Sequence, residues 1–232
     1  LADTATTLTL SCGRTVPLKM QRRSAARRFV LRVSRGVIQL TIPTKASAKA
    51  ARRWAMTNES FIREGLTRSI PPRPFTPGLT VPLFGQERSL VMAKNALSVA
   101  ELAVPARSEA SFGKAAERVL RERALEAGEE ALERFWRRLG VSDAPVTVRS
   151  YKRRWGSCRS DGATSLNWRL VFAPRFVFDH VCAHEAVHRL HMNHGAGFKT
   201  TLALLDPRAD EASAWLRDHG ESLHAWGSES ER

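Results

Sequence analysis

His184-Glu185-Ala186-Val187-His188 is the stretch of this chain whose residue types and spacing could do chemistry. In a helix the two histidines lie four apart on one face, so both imidazoles reach a single metal ion. Glu185 stands beside the first of them, where its carboxylate can meet a water on that ion without ligating the ion itself. Two ligands and a base on one rigid element are the minimum for zinc-assisted hydrolysis. A catalytic zinc also needs a third protein ligand and an open position. His191 keeps the same helical face, but at about 1.5 Å of rise per residue it would lie about 10 Å along the axis from His184. One ion with bonds of about 2 Å does not span that distance. His194 comes within reach only if the helix ends and the chain doubles back, and Asn193 and Gly195 tolerate the left-handed conformations such a turn needs. Geometry therefore favours His194 over His191. Asp206, Asp210 and Glu211 are further candidates, although helix capping and first-turn charge are their more ordinary roles.

The elements around this run must hold it rigid. Pro174 suits the first position of the helix that carries His184 and His188. Val146 to Tyr151 and Ala163 to Trp168 read as strands. Ser108 to Leu139 reads as a long helix with Ser108 as N-cap, Glu109 in its first turn and Gly140 as its stop. Its apolar stripe is Phe112, Ala116, Val119, Ala131, Phe135 and Leu139. Phe198 to Leu205 and Asp210 to His219 read as closing helices, the second capped by Gly220. Upstream, Arg28 to Val33 and Val37 to Ile42 form a hairpin through Ser34-Arg35-Gly36. A helix from about Ser47 to Leu66 would bury Trp54, Phe61, Ile62 and Leu66. Four prolines within Ile70 to Gly78 (Pro71, Pro72, Pro74, Pro77) exclude regular structure there. Thr80 to Phe84 and Ser89 to Met92 are short strands joined at Gly85-Gln86. The expected boundary falls between residues 107 and 108, with a basic β-rich region before it and the chemistry after it.

Composition limits the remaining choices. The 232 residues are 43% hydrophobic, enough for a core, and no apolar run is long enough to span a membrane. Cys12, Cys158 and Cys182 are odd in number and scattered, which disfavours a disulfide framework. The N-terminus has neither the basic start nor the apolar stretch of a signal peptide, so a cytoplasmic location is expected. The net charge is +14; residues 1–107 carry 18 Lys/Arg against 5 Asp/Glu, and residues 108–232 carry 19 against 18. Such a basic region is either a solvated surface or a contact for nucleic acid or another polyanion. Few aromatic residues interleave with Arg22, Arg23, Arg27, Arg28, Arg32 and Arg35 in the sequence, so no base-stacking platform is indicated.

Several blocks together are similar to a known family. Tyr151-Lys-Arg-Arg-Trp-Gly-Ser-Cys158, Leu166-Asn-Trp-Arg-Leu170, Pro174, His184 to His188 and Asn193-His-Gly-Ala-Gly-Phe198 resemble the YgjP-like metal-dependent hydrolases, relatives of SprT-like zinc metallopeptidases. The resemblance implies an α+β fold: a compact zincin-like domain, its active-site helix set against a small antiparallel sheet, with a basic β-rich N-terminal region. It implies Zn²⁺ on His184, His188 and His194, with Glu185 as general base.

Peptide hydrolysis follows as the expected activity, on a protein or peptide substrate. Glu185 would take a proton from the attacking water and return it to the leaving amine. Tyr151 and His191 are candidates for contacts with the oxyanion or substrate. Cys158 is better read as a buried thiol than as a ligand. The Val146 to Tyr151 strand is a candidate edge for an extended peptide. The competing readings are a non-proteolytic metal-dependent hydrolase, for example of phosphodiesters, and a nucleic-acid-binding module with a structural metal.

Overall fold

The computed structural model describes residues 4–34, 36–68, 72–93 and 98–227. Arg35 of the expected hairpin turn, and Ile70 and Pro71 of the proline-rich connector, lie outside the described residues. The chain is a mixed α/β protein that divides into two compact units, Leu1–Pro72 and Arg73–Arg232. The boundary expected at residue 107 falls instead inside the second unit, just after a strand that completes a sheet there.

Among the described residues, the first unit is a four-stranded sheet with two helices. Strands β1 (Thr4–Thr9), β2 (Thr15–Arg23), β3 (Val30–Ser34) and β4 (Val37–Pro43) take the order β1-β2-β4-β3. The β1–β2 and β3–β4 pairs are antiparallel, and β2 runs parallel to β4. Alternation decides the buried face: Val16 and Leu18 on β2, and Ile38, Leu40 and Ile42 on β4, point into one core. β2 turns Thr15, Pro17 and Lys19 to the opposite, exposed face.

The single helix expected over Ser47 to Leu66 is two helices, α1 (Ala48–Thr57) and α2 (Glu59–Arg68). Asn58 makes the break. Its side-chain amide donates to the Trp54 carbonyl at 2.9 Å and its own carbonyl receives Ile62 N–H, the short polar side chain competing with the helical ladder. Ile62 and Leu66 are buried as expected, Trp54 is half-buried, and Phe61 is 47% exposed because the break rotates it away from the core.

Among the described residues, the second unit has two three-stranded sheets and four α-helices. β5 (Thr80–Leu83), β6 (Gln86–Met92) and β7 (Glu101–Val104) form one sheet, with β5–β6 antiparallel and β6–β7 parallel. β8 (Val146–Arg149), β9 (Gly156–Cys158) and β10 (Thr164–Asn167) form the other, in the order β8-β10-β9. This second sheet was expected to be antiparallel and is mixed. β10 pairs antiparallel with β9 but parallel with β8, because residues 150–155 carry the chain back before β9 begins. α3 (Glu109–Leu139) runs from the Ser108 cap to Gly140, whose φ of 67° ends it. A 3₁₀ turn (Trp168–Phe172) leads to α4 (Arg175–Val187), followed by α5 (Ala196–Leu205) and α6 (Ala209–Leu223). Pro174 caps α4 rather than occupying its first turn, with ψ at 148°. Gly220 does not stop the last helix but lies within α6, where a Cβ would come within 3.1 Å of the Trp155 ring.

α4 is the central helix of this unit. Nine of its 13 residues are buried, against the apolar stripe of α3 on one side and α5 and α6 on the other. Its N-terminus is pinned by the tight β5–β6 turn. Phe84 and Gly85 both take positive φ, 51° and 84°, and Phe84 N–H donates to the Val171 carbonyl at 2.6 Å. The Phe84 ring then packs edge-on against Phe178 of α4, with centroids 5.1 Å apart. That contact offsets a left-handed non-glycine backbone, which costs about 1–2 kcal/mol.

Candidate metal centre

His184 lies in the last turn of α4, and His188 is the residue on which the helix ends. The chain then turns through residues 189–195 and brings His194 back over them. One ring nitrogen from each of His184, His188 and His194 lies within 4.8 Å of the others, and Nε2 of His184 and His194 are 3.1 Å apart. Phe198, on the first turns of α5 and buried, forms the floor: its ring centroid lies 4.9, 4.8 and 4.6 Å from those of His184, His188 and His194. Among the described residues, no carboxylate or thiol joins this cluster.

The turn is made by other means than expected. Neither Asn193 nor Gly195 is left-handed; Gly195 has φ of −69° and donates its N–H to the Asn193 side-chain carbonyl at 3.2 Å. His191 contributes through its backbone rather than its ring. Its carbonyl stands 3.0 Å from His188 Nδ1, which donates to it as the neutral tautomer and leaves Nε2 with a free lone pair. The His191 ring is turned to Thr201 Oγ1, 3.2 Å away.

Burial sets the charge state of this cluster. It pushes His184 down to about 4, aided by the neighbouring His188, His194 and His180, and it lowers His188 as well. These imidazoles are neutral at pH 7, the form that ligates metals. The three convergent ring nitrogens, the fixed tautomer of His188 and the apolar floor all fit a bound divalent ion.

Glu185 lines, together with His184, an adjoining cavity of about 340 Å³. Burial raises its carboxyl to about 7, against the lowering effects of the Cys158 backbone N–H, which donates to it, and of the Arg154 guanidinium. Gly156 of β9 makes room for it: a Cβ there would lie 2.6 Å from Glu185 Cγ. Arg154, Trp155 and Gly156 line the cavity opposite His180, His184 and Ser213. Buried Asn167 holds that wall, donating to the carbonyls of Tyr151 and Arg154 at 3.0 and 3.4 Å, while its N–H donates to the Trp155 carbonyl. Trp155 also stacks on His224, with centroids 4.7 Å apart.

The remaining candidates stand apart from the cluster. The Tyr151 hydroxyl pairs with Ser165 Oγ at 2.6 Å, and Tyr151 does not line the cavity. Cys158 is half-buried, its thiol held against the Arg159 and Gly162 carbonyls and pushed up chiefly by burial. β8 is an edge strand, but the edge beside α4 is β9. Asp206 is 2.8 Å from His180 Nδ1, and Ser213 Oγ is 3.1 Å from His180 Nε2. Glu211 pairs with Arg208, and Asp210 lies in the first turn of α6. The sequence reading missed His180, Ser213, Arg154 and the role of Gly156. Only His180 carried a signal, four residues before His184 on the same helical face.

A search of the curated proteins finds no match to this chain. The model of the YgjP-like metallopeptidase-domain family matches residues 27–219. With the three-histidine cluster and the mixed α/β fold, this establishes that the chain belongs to the YgjP-like family, whose fold is that of metal-dependent hydrolases and peptidases.

Proposed function

We propose that this protein is a zinc-dependent hydrolase that cleaves peptide bonds, with His184, His188 and His194 holding the ion and Glu185 moving the proton. The observation that carries this reading is the convergence of three imidazoles beside a buried carboxyl, that of the residue following His184, which burial raises to about 7. When bound there, a Zn²⁺ ion would supply Lewis acidity to a carbonyl and to water. Glu185 is poised for both halves of its task. Ionised, it takes a proton from the attacking water; neutral, it returns that proton to the leaving nitrogen. The bare Cα of Gly156 gives the Glu185 carboxylate the room to lie there, and the Cys158 N–H orients it. The β9 edge beside the helix suits an extended chain.

Arg154 supports a second reading within the same chemistry. Its guanidinium on the cavity wall would complement an anionic substrate, and phosphodiester hydrolysis uses the same ligands and base. The two readings separate by incubating the protein with an unfolded protein and with RNA, each with and without chelator. Peptide cleavage that chelator abolishes is expected. Cleavage of RNA alone would assign the site to phosphodiesters, and hydrolysis of neither would remove the enzymatic reading.

A further inference from the structure

The first unit holds a second cavity, of about 410 Å³, lined by Arg27, Arg28, Phe29, Pro43, Ala46 and Trp54. Phe29 and Trp54 stand side by side in it, half-buried, with ring centroids 5.5 Å apart and planes at 47°. The facing wall is the turn after β4. Arg22 fixes that turn, one guanidinium nitrogen donating to the Thr44 and Ala46 carbonyls at 2.8 Å each. Arg22 is thus committed to structure. Arg27 and Arg28 are exposed, and neither has a hydrogen bond or ion pair among the described residues. Two uncommitted guanidinium groups therefore border an open cavity walled by two aromatic rings.

The surrounding charge favours an anionic occupant. Residues 1–72 contain 14 Lys and Arg against three Asp and Glu, a net of +11. One of the three acids, Glu59, is occupied by the Ser11 N–H and hydroxyl, the latter at 2.6 Å. An acidic peptide would use this charge but leave the paired rings without a role. A nucleic-acid strand uses both, because every unpaired base offers a π-face and every linkage a phosphate. A duplex would hide the bases. We infer that this cavity binds single-stranded nucleic acid, with Arg27 and Arg28 on successive phosphates and Trp54 and Phe29 receiving an unstacked base. This inference rests on the first unit alone and stands whether or not the metal centre is a peptidase.

The test is fluorescence anisotropy of a labelled oligothymidylate with the full chain, in chelator so that no turnover intervenes. Three comparisons define the outcome. The affinity should exceed that for an abasic strand of equal length by tenfold or more, since stacking adds to phosphate attraction. Arg27→Ala with Arg28→Ala should weaken binding at least tenfold and reduce the log–log salt slope by about 1.4, the share of two phosphates on a single strand. Arg14→Ala with Lys19→Ala, an equal loss of charge on the β1–β2 hairpin, should cost markedly less. Equal losses from the two double variants, or equal affinity for the abasic strand, would overturn the inference and leave a diffuse polyanion surface. Absence of oligothymidylate binding at low salt would also overturn it.

Discussion

Glu185 and the residues touching it decide what the metal centre can do. Replacing Glu185 with Gln keeps the shape and the Cys158 hydrogen bond but removes the proton carrier. Metal content by mass spectrometry should stay unchanged while hydrolysis falls about 10²–10⁴-fold; an active variant would refute the role. Gly156→Ala probes the same atom from the other side. Its methyl would overlap Glu185 Cγ, costing about 1–3 kcal/mol of stability and displacing the carboxylate, so activity should drop with zinc still bound. Titration of the metal-free protein gives an independent check. Glu185 rises from 4.5 to about 7 on folding, so its contribution is fully present below pH 4.5 and is lost as pH rises through 7. His184 falls from 6.5 to about 4, so its contribution is present above 6.5 and is lost as pH falls through 4. In chelator, Glu185→Gln should therefore stabilise the protein at pH 8 by up to about 3 kcal/mol, and far less at pH 4.5. Urea midpoints at the two pH values measure this. A variant no more stable at pH 8 than wild type would show that burial does not set the Glu185 titration.

Among the elements, α4 is a platform fixed at both ends. Phe84 and Pro174 hold its start, and the turn to α5, closed by the His188–His191 hydrogen bond, holds its finish. Between them, His180 ties α4 to the end of α5 through Asp206 and to α6 through Ser213. Both partners of the His180–Asp206 pair are largely buried, with side chains 7% and 14% exposed. Asp206→Ala leaves the buried His180 Nδ1 donor unsatisfied and should cost about 1–3 kcal/mol in chemical denaturation. A change within experimental error would mean that water replaces Asp206 without penalty. Long apolar periodicity made α3 legible in sequence from Ser108 to Gly140, because its stripe and caps agree. β9 was not legible: three residues with half-buried side chains carry no period, and its place is set by pairing with β10 and by the carboxylate under Gly156.

At the scale of the molecule, each unit closes its own core. Leu8 to Leu66 supply one cluster, and the other two draw only on Phe75 and later residues. Every atom of the metal centre and its cavity belongs to the second unit. A chain of residues 73–232 should therefore fold and bind one equivalent of zinc, as circular dichroism and metal analysis would show; an unfolded product would mean the units depend on one another. No helix among the described residues is long and apolar enough to cross a membrane. The sequence by itself determined the family, the paired His184 and His188 and the carboxylate beside them, because helical spacing is local and the motif is read along one element. It also determined the uneven charge. Only the tertiary structure decided that His191 acts through its carbonyl, that Gly156 clears space for Glu185, and that Asn58 splits a helix. It likewise placed Trp54 beside Phe29 and two exposed arginines, where the linear order had suggested no stacking surface. Those facts depend on which residues distant in sequence share one volume, and the local spacing of residue types does not encode that.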